Sequence, residues 1–206
     1  MTRLTWEPIT LRLRTPFRVS YGASETRRAH WLRLAGDEGW GEGTIPPYYG
    51  ISDEAMAAVW AAADRLAAPF PDDPASIPAW LAADPAIAAG PAPARAALDL
   101  ALHDRIGRRL GQPLHALLGL PVPRPLPTSF TLGIDAPEVM AEQAAALHDC
   151  SVIKLKLGGD DGGDVARVAA VRAARPDVTL YVDANAGWLP DDAIAQIERM
   201  LPYGVA

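Results

Sequence analysis

The sequence predicts two parts: an α+β region up to about Leu120, then, over 121–206, the first α/β units of a closed barrel with a parallel sheet. Three observations carry this. Ser151 to Trp188 reads as strand, loop, helix and strand, and a β-α-β unit makes a parallel pair of strands. Phe130, Leu155 and Val182 mark strand centres 25 and 27 residues apart with helical segments between them, the period of a β-α barrel. Pro121-Val122-Pro123-Arg124-Pro125 is a stiff connector at which the period changes, and it is the best candidate for a domain boundary.

Leu4 to Leu13 and Trp31 to Ala35 have strand character, and Gly36-Asp37-Glu38-Gly39 turns the chain into Trp40-Gly41-Glu42, so an antiparallel meander of three strands is expected. Phe17 to Arg28 reads as a polar loop. Ser52, followed by Asp53 and Glu54, starts a helix with an N-cap and with acids suited to the helix dipole, running to about Ala68. Six prolines between Pro71 and Pro93 predict irregular connection with one short helical turn around Ala79 to Ala83. Ala94 to Leu110 sets Leu98, Leu102, Ile106 and Leu110 at helical spacing, with Gly111 suited to the C-cap and a short helix following within Gln112 to Gly119. Beyond the connector, strands are expected near 127–132, 152–157 and 179–183, and helices over Pro137 to His148, Asp164 to Arg175 and Asp191 to Met200. Gly204-Val205-Ala206 would enter a fourth strand.

Half of the 206 residues are apolar, enough for a sizeable core. A net charge of -6 and a pI near 5.2 exclude a nucleic-acid partner, which needs a basic surface. Met1 to Thr10 has no apolar leader region, and the longest apolar run, Ala55 to Ala63, is too short to cross a bilayer, so a cytoplasmic protein with no membrane partner is expected. The single cysteine, Cys150, is read as a buried, inert thiol. The four histidines have no metal-ligand spacing, and His103, one turn after Asp99, is given a structural role.

The chemistry gathers on the β-α-β unit. Alternation sets Val152, Lys154 and Lys156 on one face of their strand and Ile153, Leu155 and Leu157 on the other. In a barrel the apolar face meets the outer helices, the lysines enter the interior near the C-terminal mouth, and Asp183, ending the next strand, opens into the same mouth. A surface strand with solvated lysines is the alternative for such a pair taken without its context. Desolvation and a second cation nearby both favour the neutral, basic form of a lysine. A strand-end carboxylate is a hard oxygen ligand suited to Mg2+, which would hold a substrate carboxylate while its α-proton leaves. The Gly158 to Asp164 run, GGDDGGD, carries no dinucleotide-binding fingerprint and is read as a solvated loop with Asp164 as N-cap. Phe130 and Leu132 are expected to face the helices, which turns Ser129 and Thr131 inward. Thr131 is then either a substrate contact or an interior packing residue.

VIKLKLGG and VDANAGW resemble the K-x-K and D-x-N strands of the enolase superfamily, muconate-lactonising branch. RTPFR at 14–18, GWGEGTIPPYYG at 39–50, the helix at 97–119 and TSFTLGID at 128–135 extend the resemblance in order along the chain, and TSFTLGID with TIPPYYG is most similar to the dipeptide epimerases. The resemblance implies an enolase-like capping domain over 1–120 and the first three βα units of a modified TIM barrel over 121–206. It also implies a Mg2+-dependent epimerase of dipeptides of the L-Ala-D/L-Glu type. Lys156 would take or return the α-proton, Lys154 would support it and neutralise the enediolate, and Asp183 would bind Mg2+. Phe17 to Arg28 resembles a loop that closes over substrate. This makes Tyr21 and Tyr48 candidate substrate contacts and Arg18, Arg27 and Arg28 candidates for a substrate carboxylate. N-acylamino-acid racemase, o-succinylbenzoate synthase and muconate cycloisomerase chemistry use the same lysines. A barrel needs about eight strands and 250 residues, so the resemblance covers about the first 60 per cent of such an enzyme and sets the second base and further metal ligands beyond Ala206. A complementary chain or a homo-oligomer is therefore expected to supply the rest. The reading of another class is a non-catalytic fragment that needs such a partner.

Overall fold

The structure is a computed structural model that describes residues 3–47 and 49–206. It divides into two compact units, Met1–Arg12 with Thr26–Arg124, and Leu13–Glu25 with Pro125–Ala206. Among the described residues no helix is long and apolar enough to cross a membrane.

Three strands, β1 (Leu4–Val19), β2 (Gly22–Leu34) and β3 (Trp40–Ile45), form a sheet in that order. The β2–β3 pair is antiparallel, from Arg28 opposite Ile45 to Arg33 opposite Trp40. The region expected as a polar loop, Phe17 to Arg28, is instead the end of one long hairpin whose strands are joined by Ser20 and Tyr21 alone. Phe17, Val19, Tyr21 and Ala23 do alternate with Arg18, Ser20, Gly22 and Ser24, but only Val19 of the stretch is buried, so its apolar signal is weak, while backbone pairing across a two-residue connection needs none.

In the first unit, α1 (Asp53–Arg65) starts where Ser52 Oγ accepts a hydrogen bond from Ala55 N at 3.1 Å. The proline-rich stretch is more ordered than expected: a 3-10 turn (Pro74–Ser76), α2 (Ile77–Leu81) and α3 (Pro85–Ala88) follow one another. The prolines stand in first turns, where no N–H is needed, and the carboxylates of Asp73 and Asp84 accept from Ala75 N (3.0 Å) and Ala86 N (2.7 Å). The long helix α4 (Ala92–Leu110) buries Ala97, Leu98, Ala101, Leu102 and Ile106, and Gly111 closes it at φ +63°. It lies against β3 at backbone distance, since a Cβ on Gly41 would come within 2.0 Å of Ala97 O. The short α5 (Leu114–Leu117) follows. His103 Nδ1 lies 3.0 Å from Asp99 O, in keeping with a structural role.

The second unit alternates β4 (Ser129–Leu132), α6 (Pro137–Ala146), β5 (Val152–Lys156), α7 (Asp164–Ala174), β6 (Thr179–Asp183) and α8 (Pro190–Met200). Its three strands are parallel and neighbours in sequence order. After α8 the chain returns to β6, with Val205 bridging Leu180 in parallel and Ala206 N donating to Leu180 O at 2.9 Å. One face carries Leu132, Ile153, Leu155, Leu157 and Leu180, all buried against Met140, Ala144, Val168, Val171 and Met200. Phe130 departs from expectation: it shares the Leu132 face but is 47% exposed, at the start of β4, the edge strand of this sheet. Cys150 is a free thiol and half-buried rather than buried, its carbonyl accepting from Arg175 Nη2 at 2.8 Å.

Candidate active site

The opposite face of the second sheet holds the candidate residues in lateral rows. Thr131, Lys154 and Tyr181 are register partners across β4, β5 and β6, and one step further Lys156 stands opposite Asp183. Both amines reach one oxygen: Lys154 Nζ lies 2.8 Å and Lys156 Nζ 2.7 Å from Asp183 Oδ2. The Lys156 side chain is only 11% exposed, whereas those of Lys154 and Asp183 are about one-third exposed, at 34% and 30%. Hydrogen bonds from Lys154 and Lys156 hold the Asp183 carboxyl well below the usual carboxylate range, against the opposing effect of burial. The arrangement is an anion between two ammonium groups at the C-terminal end of a parallel sheet, open on one side.

The backbone after β6 is shaped around Asp183. Asn185 N donates to Asp183 Oδ1 at 2.9 Å, which draws the chain into a tight turn with Asn185 at φ +49° and Ala186 at φ +58°. Two consecutive left-handed residues without glycine are strained, and outside contacts hold them. Ser20 Oγ, from the hairpin tip, donates to Asn185 O at 2.8 Å, and Gly187 N donates to Ala184 O at 2.8 Å. The side-chain oxygen of Asn185 is buried without a hydrogen-bond partner among the described residues.

The GGDDGGD segment is not simply a solvated loop. Gly163 takes the N-cap position and Asp164 is the first helical residue, 2% exposed. Its carboxylate accepts from Gly158 N and Trp188 Nε1 and pairs with Arg167. The difference arises because Trp188 brings a donor from the segment after β6 and the run folds back so that Gly158 N reaches the same carboxylate, and spacing alone shows neither.

Tyr21 sits at the hairpin turn next to Ser20 and is half exposed. Tyr48 lies outside the described residues. Arg28 is bound to Asp53, and Arg27 donates to Thr26 O. Arg18 lines a cleft of about 580 Å3 with Ser20, Asp135 and Gly158. A carboxylate whose Oδ2 serves two amines and whose Oδ1 accepts a backbone N–H is a poor lone ligand for Mg2+, which prefers an octahedron of oxygens. No group of three His, Cys, Asp or Glu suited to a metal occurs among the described residues. The residues present do not by themselves fit this ion.

Ser20, Gly187 and Trp188 joined the site without being singled out from the sequence, and Asp164 is read there only as an N-cap. One composition signal was available: of nineteen lysines and arginines, Lys154 and Lys156 are the only lysines. A chain that uses arginine everywhere else uses an amine, the cation able to lose its proton, only here.

Two family profiles match, "Mandelate racemase / muconate lactonizing enzyme, N-terminal domain" over residues 2–119 and "Enolase C-terminal domain-like" over residues 139–206. The chain is 30% identical over 217 residues to the L-Ala-D/L-Glu epimerase of Bacteroides thetaiotaomicron, covering 97% of this chain and 55% of that protein. The dipeptide epimerase from Enterococcus faecalis V583, solved in complex with Mg and the dipeptide L-Leu-L-Tyr, superposes with a TM-score of 0.84 at 28% identity, over 99% of this chain and 59% of that one. The N-succinyl Arg/Lys racemase from Bacillus cereus gives a TM-score of 0.83 at 28% identity, over 98% and 57%. The chain thus spans somewhat more than half the length of these relatives.

Proposed function

Because this chain belongs to the mandelate racemase / muconate lactonizing enzyme family, we propose that it serves a dipeptide epimerase, removing and returning the proton on the carbon next to a substrate carboxylate. The observation that carries this reading is the meeting of Lys154 Nζ and Lys156 Nζ on Asp183 Oδ2. Lys156, the more enclosed of the two amines, gives its own proton to solvent and then, as a neutral base, takes the α-proton. Lys154 stays an ammonium and offsets the negative charge that moves onto the carboxylate as the enediolate forms. Before either can act, a substrate carboxylate must compete with Asp183 for them, so the ion pair marks the place where a substrate anion binds. Thr131, beside Lys154 in register, and Tyr21, on the hairpin tip, are proposed as substrate contacts. Asp183 is proposed as one ligand of Mg2+, with the remaining ligands and the opposing base supplied from outside the described residues. The ion accompanies the dipeptide in the Enterococcus faecalis relative.

Two further readings have an observation behind them. Likeness to an N-succinyl Arg/Lys racemase supports racemisation of N-acylamino acids by the same lysines. Leu189, Ile194, Ile197 and Leu201, each more than half exposed on and around α8, support the need for a partner, a complementary chain or another copy, that covers them.

The test is deuterium incorporation at the α-carbon in D2O, followed by proton NMR, with L-Ala-L-Glu and N-succinyl-L-arginine offered separately in the presence of Mg2+. Lys156→Ala should lower exchange from one substrate configuration by about 10²–10⁴-fold, the usual worth of a general base. Lys156→Arg should not restore it, since a guanidinium keeps its proton near neutral pH. Exchange at the wild-type rate in either variant would place the base elsewhere, and preference for the N-succinyl compound would select the racemase reading.

A further inference from the structure

Lys156 and Asp183 end neighbouring strands, and the two segments that leave those strands touch backbone to backbone. Leu157 N donates to Asp183 O at 3.0 Å. A Cβ on Gly158 would lie 2.4 Å from Ala184 O, and one on Gly187 would lie 2.6 Å from Gly158 O. This contact needs two glycines, and Gly158 also adopts φ +85°, which a side chain disfavours. Close approach by itself leaves the segments free to slide, and a third element spans them.

That element is the start of α7. Asp164 Oδ2 accepts from Gly158 N at 2.9 Å and from Trp188 Nε1 at 2.8 Å, and so ties the segment two residues after Lys156 to the segment five residues after Asp183. Its other oxygen accepts from Arg167 Nη1 at 3.2 Å. Arg167, 3% exposed, donates through Nε to Asp135 O at 2.7 Å, in the segment after β4, and through both terminal nitrogens to Asp161. One buried ion pair therefore reaches the exits of all three strands. A buried ion pair adds little net stability over apolar residues of the same volume, because desolvation offsets most of its attraction, and its attested use is to fix a register.

We propose that Asp164 is a positioning residue, with Trp188 as its partner: together they fix the two strand exits so that Lys156 Nζ reaches Asp183 Oδ2. This rests on the reading of those two residues as the working centre. It adds that the alignment of the lysine with the carboxylate is set from the N-terminus of α7, by residues that touch neither substrate nor reacting atoms.

The chain offers a clean readout because it has two lysines. Lysine labelled with 13Cε and 15Nζ gives one signal each for Lys154 and Lys156, observed on the full chain with no substrate or metal added. Trp188→Phe deletes one donor and keeps an aromatic ring in place, and Asp164→Asn keeps the shape while removing the charge. Both should shift the Lys156 signal and speed exchange of its Nζ protons with water, with a smaller change at Lys154. Asp177→Asn removes an exposed carboxylate that pairs with Arg175 in the same unit and should leave both lysine signals in place. Unchanged Lys156 signals in folded Trp188→Phe would overturn the proposal, as would an equal shift in Asp177→Asn. Should Asp164→Asn fail to fold, Trp188→Phe decides alone. The measurement requires no turnover, so lysine signals that respond while the full chain lacks α-proton exchange would uphold the positioning role and count against the epimerase reading. Exchange that proceeds while the lysine signals stay fixed would do the reverse.

Discussion

Replacing Gly158 by alanine tests the contact on which the site is built. At φ +85° a residue with a Cβ costs about 1–2 kcal/mol. The added Cβ would stand 2.4 Å from Ala184 O, where ordinary contact begins near 3.4 Å, so the two segments must separate by roughly 1 Å. Overpacking of this kind costs about 1–3 kcal/mol. Together these give about 2–5 kcal/mol, and at roughly 2–4 °C per kcal/mol for a chain of this size melting as one unit the protein should melt about 4–20 °C lower. The adjacent Gly159 is the internal control: a Cβ there meets nothing closer than 3.4 Å, and its φ is not positive. Gly159→Ala should therefore stay within about 1 kcal/mol of the parent, with a gain of about 0.4–1 kcal/mol where the smaller unfolded-state entropy dominates. Paired calorimetric scans would check this, and equal melting temperatures for the two variants would refute the steric argument.

Other outcomes follow from the same geometry. Asp183→Asn removes the charge shared by two amines, and with Lys154 and Asp183 about one-third exposed the loss should be about 1–3 kcal/mol by chemical denaturation. The folded Asp183 carboxyl lies below its ordinary 3.8 because of Lys154 and Lys156. Its contribution is therefore fully present above about pH 4 and lost as the pH falls through the lower folded value, so the gap between parent and Asp183→Asn should be flat from neutrality to about pH 4 and close below it. Ser52→Ala, which removes the N-cap of α1, should cost about 1 kcal/mol of the first unit's stability in urea. Ile194→Glu with Ile197→Glu, both on exposed positions of α8, should change folding stability by less than about 1 kcal/mol and reduce concentration-dependent association in sedimentation. Unaltered association would mean that the apolar face of α8 is not the sticky surface.

Much of the second unit was legible because its determinants are local. Alternation alone put Lys154 and Lys156 on one face, and the βα period placed Asp183 at the end of the following strand; Ser52 and Gly111 announced helix ends by chemistry confined to one turn. What the sequence left open depends on groups brought from afar. The hairpin over Phe17 to Arg28 buries only Val19, so its short apolar alternation is not backed by a core and its pairing is made by backbone. Asp164 looks like any polar residue before a helix until Trp188 delivers a donor from the far side of β6 and the loop folds Gly158 N back onto it. That both lysines share a single oxygen of Asp183 is a matter of parallel register and strand twist. Residue types set which groups are available on each face, and only tertiary packing decides which of them lose their water and meet.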